Sequence, residues 1–344
     1  MAQAFVFDGQ SMIAPGQIIL PNTPQPHPSS DNLILAKAEL ALTLDISLQQ
    51  FQSGVEAHAI VQRLSEALHH LRRQFHANTW NEIVPLAQAH PVTRFLFQDP
   101  LTRWSFDKPR GYSGDAQLLD FIYGHPSVAA DIAGSSELGK SVYDYTKAAS
   151  SSVAVRERLE LLARRVDAAA INRPGPTDVL AVAAGHLREA ALSGALQEGT
   201  IGRWVALDQD PLSVGAVART FEGTCIEAVD GSVKTLISGK QKLGTFDLIY
   251  AAGLYDYLNH AVAVKLTKAC MRMLKPGGSL LFANFSDETT VAGYMETFMN
   301  WPLLLRTESD MRSIAQAAVE GQEAGVNVWH GGNRNIIYCE LTKA

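Results

Sequence analysis

The chain has 344 residues, of which 47% are hydrophobic and 19% charged, and a formal net charge of −6. It is long enough for two units of ordinary domain size and apolar enough to bury a sizeable core, which excludes a largely disordered chain. The mild acidity, without any long Lys/Arg cluster, excludes a general attraction to phosphate backbones, so no nucleic-acid partner is expected.

Cys225, Cys270 and Cys339 are too far apart for a CxxC element or a zinc-knuckle spacing and read as buried free thiols. The N-terminus lacks a basic segment followed by an apolar run, and no stretch approaches the roughly 20 apolar residues of a membrane span. The expectation is a chain without signal peptide or transmembrane segment, in a reducing, cytoplasmic location.

Residues 1–30 combine short apolar pieces with a proline-rich segment at 21–28, a pattern for an extended arm. Over residues 33–89 the spacing becomes helical. Val55, Ile60, Leu64, Leu68, Leu71 and Phe75 recur at threes and fours, with Arg63, Arg72 and Arg73 off the stripe or at its edge. His58, His69, His70 and His76 lie beside that stripe without a Cys or carboxylate at a ligand spacing, so no metal is expected.

Pro91, Pro100 and Pro109 then punctuate an aromatic stretch carrying Phe95, Phe97, Trp104 and Phe106. A helix over 116–123 follows, and another over 152–170 stops at the Asn-Arg-Pro-Gly-Pro run of 172–176. Residues 1–150 therefore read as an N-terminal arm and mainly helical domain or lid, and 151–344 as a second domain.

That second domain alternates. Strands are expected at 178–183, 202–207, 225–229, 246–251 and 279–285, with helices at 186–197, 211–221 and 260–274. Residues 325–330 and 335–341, separated by Gly331-Gly-Asn-Arg334, read as a hairpin. The predicted fold is α/β and Rossmann-like: a mostly parallel seven-stranded sheet ending in an antiparallel hairpin, with helices on both faces.

In such a sheet a ligand sits beyond the carboxyl ends of the strands. After the first strand, Ala183 and Gly185 let a ligand approach the backbone closely. Asp208 ends the second strand and can accept both hydroxyls of a ribose, with Gln209 beside it. Asp210, just before Pro211, reads instead as a helix cap. Asp230, Gly231 and Ser232 follow the third strand, where a polar group could face an adenine amino group; Ala252 and Gly253 follow the fourth. An acid at the second strand without a glycine-rich phosphate loop points away from a dinucleotide and toward S-adenosylmethionine, which has no phosphate to cradle.

Leu274-Lys-Pro-Gly-Gly-Ser-Leu-Leu281, with Asp208 and the terminal hairpin, resembles the class I S-adenosylmethionine-dependent methyltransferases over about residues 150–344. More narrowly, Lys108-Pro-Arg-Gly-Tyr-Ser-Gly-Asp-Ala-Gln-Leu-Leu-Asp-Phe-Ile-Tyr123, Gly185-His-Leu-Arg-Glu189 and Gly253-Leu-Tyr-Asp-Tyr-Leu258 resemble bacterial methyltransferases of the extracellular-factor, 3-hydroxypalmitic acid methyl ester biosynthesis type. The resemblance implies carboxyl O-methylation of a 3-hydroxy fatty acid to a volatile signalling ester of the quorum-sensing kind.

Ala181, Ala183 and Ala184 stand where class I enzymes often carry an acid and the first small motif residues, so the methionine end of the cofactor is assigned to Arg110, Tyr112 and Asp115. Tyr255 and Tyr257, with Asp256 between them, are the catalytic candidates; Tyr255, His330 and Arg334 are the candidates for holding the acceptor. Residues 95–106 with Tyr294, Phe298, Met299 and Trp301 could line an acyl channel, and Arg188 could pair with Glu189. Other readings stay open: methylation of an amine or phenol with Asp256, His260 or His330 as base, aminopropyl transfer, or cofactor binding without catalysis. The helical half could also form a homodimer interface.

Overall fold

The computed structural model describes residues 30–171, 175–321 and 323–344. The arm expected over 1–30 lies, save for Ser30, outside the described residues, as do residues 172–174 of the helix stop. The described chain divides into two compact units, one of residues 30–153 with Thr289–Leu303 and one of Ala154–Glu288 with Leu304–Ala344.

The first unit is helical: α1 (Ser30–Gln52), α2 (Ala57–Gln74), α3 (Ala77–Ala89), α4 (Thr93–Leu96), α5 (Pro100–Asp107), α6 (Ala116–Tyr123), α7 (Ala129–Gly134) and α8 (Glu137–Ala148). The helical spacing over 33–89 resolves into three helices, because Gly54 at φ 73° turns the chain after α1 and Phe75 goes extended after α2. Ile60, Leu64, Leu68 and Leu71 form the buried stripe of α2, whereas Val55 precedes that helix and is 42% exposed. Pro100 starts α5, where its missing N–H costs nothing. Asp99 caps it by accepting from the Leu101 and Thr102 amides, and it also takes the Thr102 and Thr146 hydroxyls at 2.6 and 2.9 Å. Among the described residues no cluster of His, Cys, Asp and Glu has the geometry to hold a metal ion.

The chain passes to the second unit within α9 (Ser150–Ile171). There follow β1 (Thr177–Val182), α10 (Gly194–Gln197), β2 (Ile201–Asp208), α11 (Pro211–Thr220), β3 (Ile226–Asp230), α12 (Val233–Ile237), β4 (Phe246–Ala251), α13 (His260–Met273) and β5 (Leu274–Phe285). α14 (Ala292–Thr297) belongs to the helical unit, and α15 (Glu308–Val319), β6 (Ala324–His330) and β7 (Ile336–Lys343) complete the sheet-bearing unit. The strand order is β3-β2-β1-β4-β5-β7-β6. β3, β2, β1, β4 and β5 run parallel, and β7 joins β5 and β6 antiparallel, with Phe285 opposite Ile336 and His330 opposite Ile337. This is the expected Rossmann-like sheet, mostly parallel, seven-stranded and ending in an antiparallel hairpin. Its central strands are buried on both faces: every residue of β4 is buried, as parallel strands covered by helices on both sides require.

Two expectations need correction. No continuous helix spans 186–197; Leu187 sits at φ 50°, a 3-10 turn covers Arg188–Leu192, and Ser193 breaks the chain before the single turn α10. Asp167 of α9 holds that break by accepting from the Ser193 hydroxyl and the Gly194 and Ala195 amides. The Leu-Lys-Pro-Gly-Gly element also lies within β5, at the amino ends of the strands. Lys275 bonds Asp178 of β1 and Asp247 of β4 at 2.7 and 2.8 Å, and a Cβ on Gly278 would come within 3.1 Å of the carbonyl oxygens of Lys275, Asp247 and Phe246. It fastens the sheet at the end away from Asp208.

In the helical unit, α14 packs against α2 with Gly293 so close that a Cβ would lie 2.6 Å from the Leu68 carbonyl carbon. Glu296 accepts from Arg72 and from the Trp80 indole, and Tyr294 meets Thr102 at 3.2 Å. Tyr294, Phe298, Met299 and Trp301, expected along an acyl channel, are core residues here, none more than 6% exposed.

Candidate functional site

At the carboxyl edge of the sheet the turn after β1 is held in an unusual shape. Ala183 and Gly185 take φ 55° and 57°, and Leu187 φ 50°. A left-handed non-glycine residue costs about 1–2 kcal/mol, and such strain gathers where a backbone is shaped for a ligand. The turn is fixed by Ala184 N–H donating to the Leu207 carbonyl at 3.1 Å and Gly185 N–H donating to Asp208 Oδ2 at 2.7 Å. Ala183 is exposed and Gly185 half-buried, so small residues stand at this edge.

Asp208 is the centre of this edge. Its Oδ1 accepts from the Asp210 amide at 2.9 Å and its backbone carbonyl from the Gly231 amide at 2.9 Å, while 9% of the residue remains exposed. Burial raises the carboxyl pKa and the Asp210 and Gly185 amides oppose that rise. The Gln209 amide bears on this carboxylate as well, so backbone donors hold it from several sides. Asp210 caps α11 through the Leu212 amide and the Ser213 hydroxyl, as expected. Asp230 stands opposite Asp208 in the β2–β3 register, exposed, and Gln209 is exposed beside it. Gly231 is required by crowding: a Cβ would lie 2.6 Å from Leu207 Cδ1. Ser232 is in a capping box, its hydroxyl accepting from the Thr235 amide at 3.3 Å, which makes it a helix cap.

After β4 the structure separates the sequence candidates. Tyr255 does not face an acceptor: it is 0% exposed, stacks on Phe282 with centroids 4.2 Å apart, and its hydroxyl meets Thr267 at 2.8 Å. Asp256 is buried too, accepting from the Phe285 amide at 2.6 Å, while its own carbonyl accepts from the Leu304 amide. It clips the β4 loop to the end of β5 and is no free base. Tyr257 is half-buried, Ala252 is half-buried and Gly253 exposed.

Burial pushes the Asp256 carboxyl up to about 6 from 3.8, with the Phe285 amide, Arg158 and Arg306 opposing. The folded state then holds this proton more tightly than the unfolded chain, so the contribution to stability is complete below 3.8 and is lost as pH rises through about 6. Stability measured by urea unfolding should therefore fall between pH 4 and 7, and Asp256→Asn should flatten that fall by about 1–3 kcal/mol. An equal fall in both proteins would refute the assignment.

The acceptor candidates of the hairpin are occupied by protein. Arg334 makes two 2.6 Å bonds to Glu288, and His330 Nδ1 lies 3.0 Å from Glu308. Arg334 is thus a surface ion pair rather than a carboxylate receptor. Arg110 and Tyr112 are half-buried in the helical unit; Asp115 there caps α6 through the Leu118 amide and accepts from the Trp104 indole, which makes it structural. Arg188 does not pair with Glu189: it lies 3.3 Å from His186 Nδ1, and Glu189 accepts from the Tyr250 hydroxyl at 2.6 Å.

One functional candidate was missed. Arg158 of α9 is 5% exposed and donates from Nη1 to the Ala252 carbonyl at 2.5 Å. A signal existed, since Arg158 falls on the buried stripe of Ala154, Leu162 and Val166, where a charge is costly without a purpose. Among the described residues Cys225, Cys270 and Cys339 are free thiols, the first only half-buried, and no helix is long and apolar enough to cross a membrane.

No family model and no curated protein matches the sequence. Solved structures do. A protein from Bordetella parapertussis described as a possible exported protein is 17% identical over 93% of this chain and 99% of its own, with a TM-score of 0.54. The magnesium protoporphyrin IX methyltransferase of Synechocystis PCC 6803, with bound SAH, is 12% identical over 65% of this chain and 96% of its own, with a TM-score of 0.44. The N-methyltransferase NodS from Bradyrhizobium japonicum, in complex with S-adenosyl-L-homocysteine, is 17% identical over 55% of this chain and 87% of its own, with a TM-score of 0.39. At 17% identity the Bordetella likeness is one of fold, along nearly the whole chain.

Proposed function

We propose that this chain is an S-adenosylmethionine-dependent methyltransferase acting on a small-molecule carboxylate, in the narrowest reading that of a 3-hydroxy fatty acid. The observation that carries the cofactor is Asp208, a near-buried carboxylate fixed at the carboxyl end of β2 by backbone amides and still partly exposed, as an acceptor of a ribose diol must be. The turn after β1 fits a nucleoside without phosphates: it offers the small exposed Ala183 and the single Gly185 in place of a glycine-rich phosphate loop. Asp230 and Gln209 flank the adenine side, and Gly231, Ala252 and Gly253 let the backbone come close.

When bound, the cofactor supplies a methyl group already activated on a sulfonium. The chain's part is to align the acceptor with that group and to exclude water. A carboxylate needs no proton removed. This agrees with the β4 loop, where Asp256 is spent on the Phe285 amide and Tyr255 on Thr267. The reducing interior of a cell would keep the three thiols free.

Methyl-labelled S-adenosylmethionine incubated with purified protein and a panel of 3-hydroxy fatty acids, other fatty acids, amines, phenols and polyamines tests the reading. The expected product is a labelled methyl ester of the hydroxy acids. Label on amines or phenols alone would overturn the carboxylate acceptor and leave the methyltransferase standing; release of methylthioadenosine from decarboxylated S-adenosylmethionine supplied with polyamines, the mark of aminopropyl transfer, or binding without turnover, would overturn both.

A further inference from the structure

Arg158 is a buried cation with most of its hydrogen-bonding capacity unspent. Its guanidinium has five N–H groups, and among the described residues its one hydrogen bond is from Nη1 to the Ala252 carbonyl. The carboxylates that feel its charge are committed elsewhere, Glu189 to the Tyr250 hydroxyl and Asp256 to the Phe285 amide. The hydroxyl of Tyr338, also in its field, is buried with no hydrogen-bond partner. Leaving a charged group in this state is costly unless a ligand completes it.

The opening for that ligand is Gly253. This residue is exposed, and a Cβ built on it would have Arg158 Nη2 as its nearest neighbour, at 3.7 Å. The absent side chain leaves the guanidinium uncovered on that side. Ala252 and Gly253 follow β4, at the same edge of the sheet as Asp208, so the cation and the ribose acid serve one edge.

We propose that Arg158 is the carboxylate anchor of this site, reached past Gly253. The proposal rests on the methyltransferase reading for its two sources of carboxylate, the amino-acid end of the cofactor and the acceptor. A planar fork that keeps adjacent donors free suits a carboxylate better than a point charge would.

Calorimetry with S-adenosylhomocysteine and with 5′-methylthioadenosine, the same thioether nucleoside without the amino acid, separates the sources in wild type, Arg158→Lys and Arg158→Gln. If the anchor serves the cofactor, Arg158→Gln weakens S-adenosylhomocysteine by about 30- to 100-fold and methylthioadenosine by less than about 3-fold, with Arg158→Lys between. If it serves the acceptor, both nucleosides bind as before and KM for carboxylate acceptors rises about 10-fold or more with kcat held. Unchanged affinities and KM, or loss of both nucleosides together with a lowered unfolding midpoint of the unliganded protein, overturn the proposal. Wild type binding neither nucleoside ends the methyltransferase reading and removes both carboxylate sources with it, a result distinct from wild type binding the two nucleosides equally and Arg158→Gln leaving acceptor KM untouched, which ends the proposal alone.

Discussion

Asp208→Ala is expected to weaken S-adenosylhomocysteine by about 100-fold or more, because two charge-assisted hydrogen bonds to a ribose diol are lost at about 1.5–3 kcal/mol each. The substitution does a second thing. It strips the Gly185 and Asp210 amides of their acceptor, so the turn after β1 loses the bond that holds Gly185. Asp208→Asn separates the two effects. Its carbonyl oxygen can still accept from one amide, while its NH2 group meets the other donor and cannot accept from a hydroxyl. Binding should then fall by about 10- to 30-fold with a smaller loss of stability. Calorimetry for affinity and circular dichroism melting for the fold check both variants. If Asp208→Asn binds within about 3-fold of wild type, the carboxylate is a turn fastener and the ribose assignment is lost.

Much of the frame behind that prediction was legible in the sequence. Alternating apolar runs placed most strands to within a few residues, and the proline after Asp210 marked that residue as the cap of α11. What was not legible depended on side-chain direction and on backbone sign. Tyr255 and Tyr257 follow β4 symmetrically in sequence, yet the 3-10 turn at Tyr255–Tyr257 sends Tyr255 against Phe282 in the core and leaves Tyr257 half-buried. Leu187 takes a left-handed conformation that nothing in its side chain announces, and it ends the helix expected over 186–197. Arg334 looked available because Glu288 is 46 residues away in sequence. Arg158 was overlooked because its helix precedes the sheet, although its place in an apolar stripe marks it.

The second large effect concerns a different buried arginine. Arg306 lies in the segment leading to α15, 6% exposed, and burial lowers its pKa. It donates to the Tyr255 carbonyl at 2.6 Å, to the Leu258 carbonyl and to Asn284 Oδ1. Its own amide donates to the Phe285 carbonyl and its own carbonyl accepts from the Asp287 amide. One guanidinium therefore satisfies both ends of the β4 loop and a side chain of β5. Arg306→Met fills the volume but orphans these acceptors and leaves Asp256 with less opposing charge, a loss of about 3–5 kcal/mol expected in urea unfolding at pH 7. Arg334→Ala, which breaks only an exposed pair with Glu288, should leave the midpoint unchanged within error. Arg158→Gln should resemble Arg334→Ala in unfolding, although it removes a buried cation. The three arginines are thus ordered by how many protein acceptors each satisfies, and burial alone predicts a different order, with Arg158 as costly to remove as Arg306. A midpoint for Arg158→Gln as low as that for Arg306→Met would mean that burial decides, and that unspent donors do not mark a ligand.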